Sequence, residues 1–171
     1  MSREGGDLEK AARLFEKAIE VRPDDYQAYQ FLAAAYQDLD RPNEYRDILL
    51  RARDASRRHV ESHPDDARAL YLGAGVLVRL GEKEEGLEWG KRALELDPND
   101  SRVLYNLACL YCESLLRQEP AAADPALETA VDYFERAIAA GYASREWIDS
   151  DSDLDPIRDH PRFQAALATL D

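Results

Sequence analysis

Three short triplets, Pro23-Asp24-Asp25, Pro64-Asp65-Asp66 and Pro98-Asn99-Asp100, each precede an apolar-periodic stretch, and their spacing constrains this chain more than any other feature. Proline stops the helix before it, and the Asp or Asn that follows accepts backbone N–H groups at the start of the next. Pro64 and Pro98 lie 34 residues apart, and Pro23 and Pro64 lie 41 apart. The difference is about two turns at 3.6 residues per turn, which a helix absorbs with its buried face in register.

The stretches after the triplets share one helical face. Tyr29, Leu32, Ala33 and Tyr36 recur as Leu70, Gly73, Ala74 and Leu77, and again as Leu104, Leu107, Ala108 and Tyr111, always at i, i+3, i+4, i+7. A second pattern carries small residues at the helix crossings: Ala11, Phe15 and Ala18, then Gly86, Gly90 and Ala93, then Ala130, Phe134 and Ala137. Small residues let helices approach closely, and phenylalanine fills the gap between layers. No apolar pattern alternates over a strand length, so the chain is expected to be all-α.

A helix–turn–helix unit with this placement of Leu, Ala, Tyr, Phe and Pro resembles the tetratricopeptide repeat, from Gly6 to about Tyr142. The family's tryptophan slot holds Tyr29, Leu70 or Leu104 here, and its glycine slot Ala33, Ala74 or Ala108. The fourth unit ends at Gly141 in place of a proline, a residue able to cap a helix in the left-handed conformation. The resemblance implies a right-handed solenoid of about three and a half helix pairs. The pattern predicts helices over Asp7–Arg22, Asp25–Leu39, Pro42–Ser62, Asp66–Leu80, Glu82–Leu96, Asp100–Gln118 and Asp124–Ala140. Leu104 to Ala130 spans 26 residues where Leu70 to Gly86 spans 16, so the extra residues are expected to lengthen one helix and enlarge a loop around Glu119–Asp124.

The two ends differ. Gly6 and Asp7 open what the repeat assigns as the second helix of a pair, so a partner helix is missing, which implies a fragment. It also leaves Leu8, Leu14 or Ile19 uncovered, a surface for self-association. At the other end Ser144–Ile148 and Pro161–Leu170 read as short helices, with Trp147, Leu154, Ile157, Phe163 and Leu167 available to cover the last unit. The expected division is a repeat array over 1–142 and a capping segment over 143–171. The run from Asp153 to Phe163 also resembles the tail of tetratricopeptide arrays attached to bacterial signalling proteins such as protein kinases and nucleotide cyclases. That resemblance implies a second reading, a regulatory or oligomerising module of a larger enzyme.

Composition narrows the partners. The 22 basic against 35 acidic side chains give a formal charge of −13, which repels phosphate backbones and anionic lipid. The longest apolar run, Ala69 to Val78, is too short to cross a bilayer, and no signal-peptide pattern opens the chain. Nucleic acid and membrane are therefore not expected partners, and the cytoplasm is the expected compartment.

The motifs that could carry chemistry are incomplete. Cys109 and Cys112 form a CxxC with no second pair or nearby histidines to complete a zinc site, and they lie mid-helix, away from the N-terminus that activates a thiol. They read as small packed residues. Asp149, Asp151, Asp153 and Asp155 alternate like the opening of a calcium loop, but Leu154 and His160 stand where glycine and glutamate are required. Capping and a solvated acidic loop are the remaining account. There is no phosphate loop, GxGxxG or nucleophile elbow, and His59, His63 and His160 are scattered, with His59 in the packing slot of Ala18 and Ala93. No catalysis, metal or cofactor is expected.

The face beside the buried stripe is more informative. It carries Gln27, Gln30 and Ala34, then Arg68, Tyr71 and Gly75, then Arg102, Tyr105 and Cys109. In the family this chain resembles, the corresponding face lines a concave groove that holds a peptide. Arginine and tyrosine suit such work through forked donors and flat apolar area. The expected peptide-binding residues are Gln30, Arg68, Tyr71, Arg102, Tyr105 and Asn106. An arginine pair in so acidic a chain points to an acidic segment; solvated arginines beside stacked tyrosines are the other reading of the same residues. The family's carboxylate-clamp slots fall on Gln30, Ala34, Leu72, Arg102 and Asn106, and only Arg102 keeps its charge, which disfavours a chaperone clamp. The expected function is a non-catalytic protein-interaction scaffold with a protein or peptide partner.

Overall fold

The computed structural model describes residues 3–116 and 125–170, with side chains over 7–115 and 125–170. Helices α1 (Arg3–Val21), α2 (Tyr26–Asp38), α3 (Pro42–Ser62), α4 (Ala67–Arg79), α5 (Lys83–Leu96), α6 (Ser101–Leu116) and α7 (Pro125–Ala139) form the array. It is followed by α8 (Arg145–Ser150), a 3₁₀ turn (Ser152–Ile157), α9 (Pro161–Leu167) and a last 3₁₀ turn (Ala168–Leu170). No strand occurs among the described residues. The chain is an all-α solenoid closed by a helical cap. The bounds of α3 are those expected, whereas α1 begins at Arg3, ahead of Asp7. The loop expected around Glu119–Asp124 lies outside the described residues.

The triplets act as their chemistry implies. Asp25 accepts the Ala28 N–H at 3.4 Å, Asp66 that of Ala69 at 3.0 Å, and Asp100 those of Arg102 and Val103 at 2.8 and 3.1 Å. Each such cap is worth about 1 kcal/mol. The helices ahead stop at Val21, Ser62 and Leu96, just before each proline. The proline carbonyls are then tied down: Tyr29 donates to Pro23 O at 2.9 Å, Arg92 to Pro64 O at 3.4 Å and Arg136 to Pro98 O at 3.3 Å. Gly141 has the left-handed φ of 94° that a helix C-cap requires.

The expected stripes of α2 and α4 are fully buried, and on α6 Leu104, Leu107 and Ala108 are buried with Tyr111 half-buried. At the α4–α5 crossing a Cβ on Gly86 would stand 2.9 Å from the Ala74 carbonyl oxygen and 2.8 Å from Val78 Cγ2, so only glycine admits this approach. The core forms two clusters that meet at α6: Val103, Leu107 and Leu110 face α1–α5, while Leu104, Ala108 and Cys112 face α7 and the cap. In the second cluster Phe134 stacks on Phe163 at 4.2 Å, and Leu154, Ile157 and Leu167 are buried as expected.

Three expectations at the ends are corrected. Trp147 does not cover the last unit: it is 58% exposed, and Ile148 beside it takes the buried position. On α1, Ile19 is buried under α2, and Leu14 and Val21 are the exposed apolar residues. Asp151 and Asp153 are half-buried, so the acidic stretch is not a solvated loop; its backbone forms the 3₁₀ turn, which Asp151 caps by accepting the Asp153 N–H at 3.0 Å.

Two stability predictions follow from this packing. Gly86→Val should lower the unfolding free energy by about 2 kcal/mol or more, because the Ala74 backbone cannot yield. Gly75→Ala, whose Cβ would meet nothing nearer than 3.7 Å, should raise it by up to about 1 kcal/mol through helix propensity. Urea unfolding of both variants measures the contrast. The acid limb is set partly by the caps. The Arg102 guanidinium holds the Asp100 carboxyl below its ordinary value, and Asp66, pushed up by burial, is brought below it by the Ala69 N–H and His59. Depressed carboxylates contribute stability above about pH 4 that is lost as pH falls through their folded values. Asp100→Asn, which retains a capping oxygen, should flatten that loss between pH 5 and pH 2 in urea titrations taken at about one-unit steps.

Candidate functional site

Helices α2, α4 and α6 present their free faces to one concave cavity of about 630 Å³. Tyr142, α8 and the turn after it close one end. Of the residues expected to bind, Gln30, Tyr71, Arg102, Tyr105 and Asn106 line this cavity; Arg68 is exposed at the start of α4 and is not part of the lining.

Their local partners differ. Gln30 Nε2 donates to the Leu72 carbonyl at 3.0 Å, bridging α2 to α4. Asn106 Nδ2 donates to Arg102 O at 2.8 Å within its own helix. The Arg102 side chain, 66% exposed, folds back on its capping Asp100 at 2.9 Å. Tyr71 is half-buried, and among the described residues it has neither a ring stacked on it nor a hydrogen bond to its hydroxyl. Burial raises its phenol, the charges of Arg68 and Arg102 pull the other way, and the Asp100 and Asp66 carboxylates add to the rise.

Tyr105 is not an open contact. It is buried, its ring lies on Tyr142 at 4.1 Å with 8° between the planes, and its hydroxyl donates to Asp151 Oδ2 at 2.6 Å. The Cys109 thiol approaches the same oxygen at 3.8 Å. Burial, reinforced by the neighbouring carboxylates, pushes both cysteine thiols well up, which keeps them protonated and unreactive at neutral pH. Tyr142 is likewise pushed up to about 12 by burial and by Cys109 and Asp151.

Deeper in the cavity Arg79 pairs with Glu113 and donates to Asp153 Oδ2 at 2.9 Å. Burial opposes the Arg79 charge, and the two carboxylates more than restore it. Burial also pushes the Asp153 carboxyl above its ordinary value against the pull of Arg79. Cys109, Asp151 and Asp153 bring one sulfur and two oxygens within 4.8 Å of one another, a grouping that neither the CxxC nor the calcium-loop spacing indicates. Tyr105 and Arg79 already hold those carboxylates.

Arg79, Glu113, Asp151, Asp153, Phe31 and Trp147 were not anticipated in this cavity. A signal for two of them exists in the sequence: Arg79 and Glu113 are 34 residues apart, and Asp38 is 41 before Arg79, so acid, base and acid occupy one slot in successive units. Residues in one slot stand side by side in a repeat array.

Models of the tetratricopeptide repeat match residues 3–25, 37–101 and 89–123. Among curated proteins the chain is 33% identical over 108 residues to human Protein O-mannosyl-transferase TMTC3, covering 63% of this chain and 11% of that protein. It is also 33% identical over 106 residues to mouse Interferon-induced protein with tetratricopeptide repeats 3, covering 62% and 25%. The chain thus spans a tenth to a quarter of the length of these relatives. Among solved structures, MamA aligns with a TM-score of 0.48 at 18% identity over 98% of this chain and 87% of its own. YrrB, described as a TPR protein with an unusual peptide-binding site, aligns with 0.44 at 17% over 96% and 84%. No helix among the described residues is long and apolar enough to cross a membrane. With triplet-capped helix pairs repeating at the family's period and three family models matching more than half its length, the chain belongs to the tetratricopeptide repeat family.

Proposed function

We propose that this chain is a non-catalytic scaffold whose concave groove holds a segment of a protein partner. The observation that carries this reading is the pair of exposed aromatic residues, Phe31 at 51% and Trp147 at 58%, that line the same cavity from α2 and α8. Large apolar side chains kept in water around a concave surface mark an interaction site. Gln30, Tyr71 and Asn106 supply polar contacts along the floor, and the exposed Arg102 and Arg68 supply charge at the rim. Arg68 makes no ion pair among the described residues and Arg102 is largely exposed, so the segment they suit is acidic, while the chain's net charge keeps such segments off its other faces.

A second reading, a module that associates with another copy or with a longer chain, draws on Leu14 and Val21, which leave α1 with an exposed apolar edge. Replacing both by glutamate should abolish any concentration-dependent association seen by sedimentation; association that persists excludes this edge.

For the groove, affinity capture with the parent protein and an Ala34→Trp variant, which fills the cavity from an exposed helix position, should identify partners retained by the first and lost by the second. Arg68→Ala with Arg102→Ala should weaken a captured segment by about 2 kcal/mol if both arginines are desolvated on binding, with unchanged circular dichroism. A partner held equally by the parent and the groove-filled protein would place binding elsewhere.

A further inference from the structure

The cap shows how this concave surface receives a chain segment. On α6 the Tyr105 ring is covered by the ring of Tyr142, its hydroxyl is taken by the Asp151 carboxylate, and a second carboxylate, Asp153, reaches Arg79. Here the protein recognises a flat ring and a carboxylate supplied by its own residues 142–153.

The same arrangement recurs one unit earlier without its occupant. Tyr71 precedes Tyr105 by 34 residues, Gly75 precedes Cys109 by 34, and Arg68 precedes Arg102 by 34. Among the described residues Tyr71 is half-buried with no stacked ring and no partner for its hydroxyl, and at Gly75, where Cys109 stands in the filled copy, there is no side chain: a Cβ would only reach contact with Arg79 Nη1 at 3.7 Å and Glu113 Oε2 at 4.0 Å. Arg68 and Arg102 act on the Tyr71 phenol together with Asp100 and Asp66; Arg102 is held by Asp100, whereas Arg68 makes no ion pair among the described residues.

Building on the groove reading above, we infer that the α4 copy of this site, formed by Tyr71, Gly75, Arg68 and Arg102, binds a partner segment presenting an aromatic ring together with a carboxylate. The ring lies on Tyr71 over Gly75, and the carboxylate accepts from the Tyr71 hydroxyl and from the arginines at the rim. The filled site on α6 tests the geometry within the molecule, and the charge of the two arginines selects an acid over a base.

A randomised twelve-residue peptide library, selected on the whole protein and counter-selected on a Gly75→Leu variant, separates this inference from the groove reading. The expected result is enrichment of peptides carrying Phe, Tyr or Trp together with Asp or Glu. A synthetic peptide from that set should lose tenfold or more in affinity on Tyr71→Ala or on Arg68→Ala with Arg102→Ala, lose less on Tyr71→Phe, and bind more weakly as salt rises. Replacing its acid by the amide, or its aromatic residue by alanine, should weaken it similarly. Groove-dependent peptides that lack the ring or the acid, or that are enriched in lysine and arginine, would overturn the inference and leave the groove reading standing. If no peptide survives counter-selection, both fall.

Discussion

Two glycines one turn apart on α5 fix the positions of two neighbouring helices. A Cβ on Gly86 would collide with the Ala74 backbone of α4, and one on Gly90 would lie 2.8 and 2.7 Å from Leu107 and Leu110 of α6. One short helix thus meets the backbone of the first helix of its own unit and the leucine side chains of the first helix of the next, both through positions that carry no side chain. Everything on the concave side depends on this. Held side by side, α4 and α6 turn a period of 34 residues in sequence into adjacency in space, so Tyr71 stands next to Tyr105 and Arg79 reaches Glu113. A bulkier residue at Gly86 would push α5 off the α4 backbone, and one at Gly90 would force Leu107 and Leu110 to repack, before either touched a residue in the groove.

The polar end of the groove shows how the cap is held. Arg79, on α4, is shared between Glu113 of α6 and Asp153 of the 3₁₀ turn, joining three elements through one guanidinium group. Burying charges is expensive, and a buried pair repays the cost only when its hydrogen bonds are complete. Burial pushes the Asp153 carboxyl up against the pull of Arg79, while Glu113 and Asp153 together keep the Arg79 guanidinium charged. Beside this ion group the cap buries Ile148, Leu154, Ile157 and Phe163 in the second core cluster. The ion group ties the 3₁₀ turn to α4 and α6.

Much of this was legible in the sequence because it is periodic. The buried stripes, the glycine crossings and the capping aspartates all follow from spacing, and α3 keeps its expected bounds despite its two extra turns. What spacing cannot supply is the partner of a residue outside the period. Asp151 and Asp153 are half-buried and held by Tyr105 and Arg79, 46 and 74 residues away, and no local pattern distinguishes them from Asp149 or Asp155, which are exposed. Trp147 and Ile148 are neighbours on a helix of six residues, too short for an amphipathic period to decide which one faces inward. The Arg79–Glu113 pair is the reverse case: its slot was visible at the repeat distance, but charges on a helix face ordinarily read as solvated.

The cap also limits how much groove remains. By covering Tyr105 and Cys109 it takes the concave face of α6 for the chain itself and leaves α2, α4 and the rim of α6 open. Neighbouring helices stand about 9 Å apart, so two spacings span about 18 Å, and an extended chain at about 3.3 Å per residue crosses them in five or six residues. Gln30, Tyr71 and Arg102 are distributed along that length in chain order. The cap thus acts in two ways through the same contacts: it seals the apolar end of the last unit, and it sets the end of the binding surface at the boundary between a tyrosine that is covered and one that is not.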